Sequence, residues 1–151
     1  MFFGLFTPKK KSRIPLFDAK LIKKFHHDHI KLVKSIGDIN KALEQGNSHK
    51  VKKLLLRLRM EILGHFMEED IKLYWYLKDY YKDEENANSL VKTFDTSIKM
   101  IQKDVIKFLD YYTQDYVPLD MEFQQKFDMM VSKLASRIES EESNLYPLYQ
   151  K

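Results

Sequence analysis

A chain of 151 residues is long enough for one domain with a sizeable core, and 32% charged against 44% hydrophobic residues is ordinary for a folded protein. The absence of cysteine excludes disulfides, thiolate metal sites and thiol nucleophiles, and no apolar run reaches the length of a membrane span. The net charge of +4 is uneven: residues 1–24 hold seven cations against Asp18 alone, a balance of +6 that leaves the rest at about −2, which argues against a nucleic-acid-binding body.

The chain opens on an arm, residues 1–17, in which Phe2, Phe3 and Phe6 precede Lys9, Lys10, Lys11 and Arg13. A secretory signal has the reverse order and a longer apolar core, so none is expected. The arm reads as a segment whose aromatics pack on the domain, or as a small anchor for a protein partner. A single short wedge binds membranes weakly, which disfavours a membrane anchor.

Residues 18–151 contain only a few glycines and prolines, and four segments repeat apolar residues at alternating three- and four-residue intervals. The first runs Ile22, Phe25, His29, Leu32, Ile36, Ile39, Leu43 and stops at Gly46. The second, with Ser48 as expected N-cap, runs Leu55, Leu58, Ile62, His65, Glu69, Leu73 or Lys72, and Tyr76. A polar stretch at 82–86 separates it from the third, which runs Leu90, Phe94, Ser97, Ile101, Val105 or Asp104, and Phe108. Pro118 suits the first turn of the fourth, which runs Phe123, Phe127, Met130, Leu134, Arg137, Glu141, Leu145 and Leu148, with Pro147 disturbing its end. Long helices joined by short links predict an all-α, up-down-up-down four-helix bundle.

Five core positions are polar: His29, His65, Glu69, Arg137 and Glu141. Counted from the first turn, His29 and His65 both lie roughly 26 Å away at ~1.5 Å per residue, and Ser97 and Arg137 fall at matching heights from the third. A single polar layer is therefore expected across the core. His65 and Glu69 are four apart on one helix face, as are Arg137 and Glu141. An inward His–carboxylate pair beside a core histidine is a way for bundles to hold a cation, because imidazole and carboxylate reach one point.

On these residues the chain resembles the hemerythrin-like family, the HHE cation-binding domains. The first half reads His29-Ile-Lys-Leu-Val and His65-Phe-Met-Glu-Glu69-Asp-Ile-Lys-Leu-Tyr-Trp; the second reads Ser97-Ile-Lys-Met-Ile and Arg137-Ile-Glu-Ser-Glu141-Glu-Ser-Asn-Leu-Tyr-Pro. The resemblance covers roughly residues 18–150 and implies a di-iron site, one ion held by helices one and two and the other by helices three and four. Here His29, His65 and Glu69 retain the first half. Ser97 and Arg137 stand where the second half would have histidines, with Glu141 or the adjacent Glu142 as its remaining carboxylate. The full di-iron site is therefore not expected.

Two outcomes remain. One iron or zinc ion is held by His29, His65, Glu69 and Glu141, leaving room for O2 or NO; or no metal binds, and Arg137 forks onto Glu69 and Glu141. The corresponding functions are binding or sensing of O2, NO or iron, and a metal-free regulatory or interaction module. Catalysis by the carboxylates has the least support, since neither a substrate pocket nor an activated nucleophile is suggested. His26, His27 and His49 are expected at the surface, Glu68 and Asp70 in solvent, and Tyr74 and Tyr146, which follow the two glutamates at equivalent positions, as ordinary bundle aromatics, with a hydroxyl that orients a ligand as the alternative. Without cysteine or a signal, a cytoplasmic location is expected.

Overall fold

The computed structural model describes residues 14–151, and its helices form an up-down-up-down bundle with no strand among those residues. Helix α1 spans Leu21–Glu44. Helix α2 is α-helical over Ser48–Glu68, widens into a π-helical stretch at Glu69–Tyr74 and resumes over Trp75–Tyr80. Helix α3 spans Glu85–Tyr112. Helix α4 runs Met121–Ser140, then passes through a π-helical stretch at Glu141–Leu145 and a 3-10 turn at Tyr146–Leu148 that contains Pro147.

The ends of the helices follow from local chemistry. Gly46 takes φ 68°, its N–H bonds the Leu43 carbonyl, and the Asn47 N–H bonds Ala42; this paired closure satisfies the last carbonyls of α1. Asn47, rather than Ser48, caps α2, because its side-chain oxygen accepts from Lys50 N at 3.1 Å. Asp120 caps α4 by accepting from Phe123 N at 3.0 Å. Pro118 therefore lies in the loop before the helix and not in its first turn.

The core is built from the expected stripes, with shifts of register. On α3 the buried residues are Ala87, Val91, Phe94, Asp95, Ile98, Val105, Leu109 and Tyr112; Leu90 is exposed and Ser97 only half-buried. Asp95 is tolerated there because Lys78 and Lys99 reach it from the rim. On α2, Leu73 and Leu77 are buried in place of Lys72 and Tyr76. Residues 1–13 of the arm expected at 1–17 lie outside the described residues. Phe17, at its junction with the bundle, stacks on Tyr149 at 4.7 Å between centroids.

Lys52 is a charge inside the core side of α2, and its Nζ donates to the carbonyls of Tyr112, Gln114 and Val117 at 2.8, 2.6 and 2.6 Å. The ammonium thus closes the C-terminal end of α3 and the loop behind it, where helix carbonyls lack intrahelical partners. Lys52→Met preserves the stem but leaves those carbonyls without their donor. Denaturant unfolding should show a loss of about 1–3 kcal/mol.

Candidate metal centre

The midpoint of the bundle between α1, α2 and α4 is polar. His29 on α1, His65 and Glu69 on α2, and Glu141 on α4 are all buried, and each offers one ligand atom within 4.8 Å of every other. The two imidazole Nε2 atoms face each other at 3.2 Å. His65 Nε2 lies 3.5 Å from Glu69 Oε2, and His29 Nε2 lies 3.8 Å from Glu141 Oε1.

The outer edges of the two rings fix their orientation. His29 Nδ1 is 2.7 Å from Glu142 Oε2, and His65 Nδ1 is 3.1 Å from Asp28 Oδ2. Burial works against charge on both acids. Hydrogen bonds from His29 and His26 nevertheless hold Glu142 below the usual carboxylate range, and those from His65 and Lys24 do the same for Asp28. Ionised carboxylates only accept, so each ring donates its Nδ1 proton outward. A neutral imidazole so arranged presents a bare Nε2 lone pair to the interior. Two such lone pairs at 3.2 Å repel unless a proton or a cation lies between them.

Without a cation, His65 is the ring better placed to hold a proton between them. Burial depresses His29, whereas at His65 the hydrogen bonds to Glu69 and Asp28 outweigh burial and raise its pKa. Glu141 is raised well above the ordinary value by burial and then by Glu69, with Arg137 opposing. Even so, Glu69 Oε1 and Glu141 Oε2 are buried with no hydrogen-bond partner among the described residues, a costly state for a carboxylate oxygen. The donor set of two imidazoles and two carboxylates, with unpaired oxygens, fits a single cation of the zinc or iron class.

Arg137 is also buried in this layer, but it does not fork onto Glu69 and Glu141 as the metal-free expectation had it. Its Nη2 donates to the Phe94 carbonyl and, at 3.1 Å, to the Tyr74 hydroxyl. Its Cζ sits 4.5 Å over the Phe94 ring. Nε is 3.7 Å from Glu141 Oε2, an electrostatic contact with no hydrogen bond. The long side chain reaches past the carboxylates to the ring and carbonyl of Phe94 on α3. Ser97, expected in the layer, is half-buried and lines an outer groove between α3 and α4.

Of the further contributors, Asp28 was not legible in the pattern, Glu142 was expected only as an alternative to Glu141, and Tyr74 and Tyr146 were read first as ordinary aromatics. Tyr146 donates to Glu69 Oε2 at 2.7 Å and approaches His29 Nε2 at 3.3 Å, so it belongs to the centre, as Tyr74 does through Arg137. Asp28 supports His65, and Glu142 supports His29. Glu68 and Asp70, expected in solvent, are half-buried ion-pair partners of Lys24, Lys72 and Lys99. His26 is exposed yet pairs with Glu142 at 3.0 Å.

The tyrosines enter because each ligand glutamate opens a π-helical stretch. The Trp75 N–H bonds the Asp70 carbonyl and the Tyr146 N–H bonds Glu141, both five residues back. The wider turn brings residues four and five beyond the glutamate onto the buried face together. The repeated spacing Glu69…Leu73-Tyr74 and Glu141…Leu145-Tyr146 was the available signal.

The raised Glu141 carboxyl has a consequence for stability in chelator. Between the ordinary carboxylate value and its raised one, the folded chain holds a proton that the unfolded chain has released. Stability therefore falls as pH rises through that window. Glu141→Gln keeps the shape and removes this titration, so unfolding of the chelated variant should depend less on pH over this range than unfolding of the parent.

The bundle and its central cluster agree with comparison to known families. A family model described as Hemerythrin HHE cation binding domain matches residues 20–149. Comparison with curated proteins and with solved structures gives no match. A buried His–His–Glu–Glu cluster on the inner faces of such a bundle is what a cation-binding domain requires, and the chain belongs to the hemerythrin HHE cation-binding family.

Proposed function

We propose that the chain binds one iron or zinc ion through His29, His65, Glu69 and Glu141 and acts in binding or sensing O2, NO or iron. The observation that carries this reading is the facing pair of Nε2 atoms at 3.2 Å, each ring tied through Nδ1 to an ionised carboxylate. Carboxylate–histidine pairs of this kind orient ligand imidazoles and raise their basicity. Bound iron would supply coordination positions for a small ligand such as O2 or NO.

The chain's own residues prepare that site. Asp28 and Glu142 hold the rings, Tyr146 holds Glu69, and burial of all four ligand residues excludes bulk water. Arg137 occupies the side where the family's second ion would be held, which limits the site to one ion. A divalent ion and Arg137 exceed the two inner carboxylates by one positive charge. Glu142, held ionised beside His29, lies close enough to offset it.

Elemental analysis of protein purified in air without a metal-binding tag should find one iron or zinc per chain. His65→Ala should lose it, and Asp28→Asn should weaken retention by roughly 10–100-fold. Metal that dialyses away from the parent protein would overturn the reading in favour of a metal-free regulatory or interaction module.

Arg137→Ala supplies a second test. In chelator, removal of the buried guanidinium should cost about 3–5 kcal/mol, because Glu141 loses its cation and the Phe94 carbonyl its donor. An unchanged melting temperature in chelator would show that Arg137 does not neutralise the cluster.

A further inference from the structure

The four inner residues are buried, so an ion held among them needs a way in. Two surface openings reach residues of the polar layer. One lies between α1 and α2 and has Asp28 and His65 in its lining. The other is the outer groove between α3 and α4, which has Arg137 in its lining. The first measures about 250 Å³, room for a cation with several waters at ~30 Å³ each.

The two openings differ in the sign of their charge. Among the described residues, the α1–α2 opening sets Asp28, Glu61 and Glu68 against Lys24 and Lys31, an excess of one negative charge. The α3–α4 groove sets Lys133 and Arg137 against Asp104, an excess of one positive charge. A cleft of one sign concentrates ions of the other, and a guanidinium repels a divalent cation.

His65 is shared between the α1–α2 opening and the centre. Its Nε2 faces His29 Nε2 at 3.2 Å inside, and its Nδ1 lies 3.1 Å from Asp28 Oδ2. One imidazole ring therefore spans from the opening to the ligand atoms. The Lys24 ammonium bonds both Asp28 and Glu68 at the rim. That side chain is 51% exposed, so an arriving cation can take its place on the two acids. On the α1–α4 side the carboxylate behind His29 is Glu142, which the His26 ring engages at 3.0 Å while packing edge-on to Tyr146. A packed ring is a firmer cover than a lysine.

Gly64 lines the α1–α2 opening next to His65. It lies within α2 without a positive φ, and a Cβ placed on it would meet nothing within 4 Å among the described residues. The backbone does not demand glycine there, although glycine in a helix costs about 1 kcal/mol relative to alanine. Its bare Cα leaves the approach to the His65 ring uncovered.

We infer that the cation enters and leaves the centre between α1 and α2. Asp28 and Glu68 capture it in place of Lys24, and a swing of the His65 ring beside Gly64 passes it inward. This route presupposes that the centre binds metal, as proposed above.

The cysteine-free chain allows one opening to be blocked at a time. Gly64→Cys capped with a bulky aromatic thiol reagent covers the α1–α2 opening, and Ser136→Cys capped in the same way covers the α3–α4 groove. Stopped-flow mixing of the metal-free chain with zinc or, under argon, ferrous iron measures uptake, and mixing of the loaded chain with excess chelator measures loss. Capped Gly64→Cys should slow uptake and loss by the same factor, about tenfold or more, and so leave the equilibrium affinity unchanged. Capped Ser136→Cys should exchange at the parent rate. Parent rates in capped Gly64→Cys, or equal or greater slowing in capped Ser136→Cys, overturn the route. Slower uptake with faster loss is the sign of a distorted site and overturns it too. A parent chain that takes up neither zinc nor ferrous iron overturns the metal reading itself, and the route with it.

Discussion

The contact between His29 Nε2 and His65 Nε2 at 3.2 Å constrains most of what surrounds it. Two imidazoles from neighbouring helices cannot share a dry core in that orientation without something positive between or beside them. Asp28 and Glu142 reinforce the constraint from outside, since both accept a hydrogen bond from the opposite ring nitrogen. Glu69 and Glu141 then bring negative charge toward the point where the lone pairs converge. The bundle is thus organised around a positive charge, whether a metal ion or a proton on His65. Glu69 Oε1 and Glu141 Oε2 lack hydrogen-bond partners among the described residues, a need that an ion would meet and that, without one, the raised Glu141 carboxyl meets in part by holding a proton.

The two π-helical stretches are the means by which an ordinary helix reaches that centre. Each begins at a core glutamate and each ends at or just before a buried tyrosine. A uniform α-helix cannot place both a glutamate and the residue five positions later on one face. The local widening does so twice, at equivalent positions of the two halves. One tyrosine then orients Glu69, and the other supports Arg137. Such stretches occur frequently at functional sites, and here the hydrogen bonds they make accessible supply the reason.

The two halves of the bundle have diverged in what they hold. In the first, histidines face histidines. In the second, a guanidinium lies over Phe94 and bonds its carbonyl, one turn from Glu141. A fixed cation of this kind occupies volume and supplies charge without exchange, whereas the first half retains groups able to take up and release an ion. The asymmetry follows from Ser97 and Arg137, two positions in one half of an internal repeat.

The sequence by itself determined the bundle, because stripes at three- and four-residue spacing mark four long helices and the short links between them make chain neighbours antiparallel. It also determined the inward residues His29, His65, Glu69, Arg137 and Glu141, since each interrupts an apolar stripe where burial makes a polar group conspicuous. Tertiary structure decided the rest. Asp28 and Glu142 sit beside the stripes, and only the packing of neighbouring helices shows which ring each one reaches. The π-helical stretches shift the register by an amount that an average period cannot carry, which is why Tyr74 and Tyr146 read as ordinary aromatics. The direction of the Arg137 side chain was equally beyond the pattern. Spacing puts it one turn from Glu141, but the Phe94 ring and carbonyl that draw it away belong to another helix.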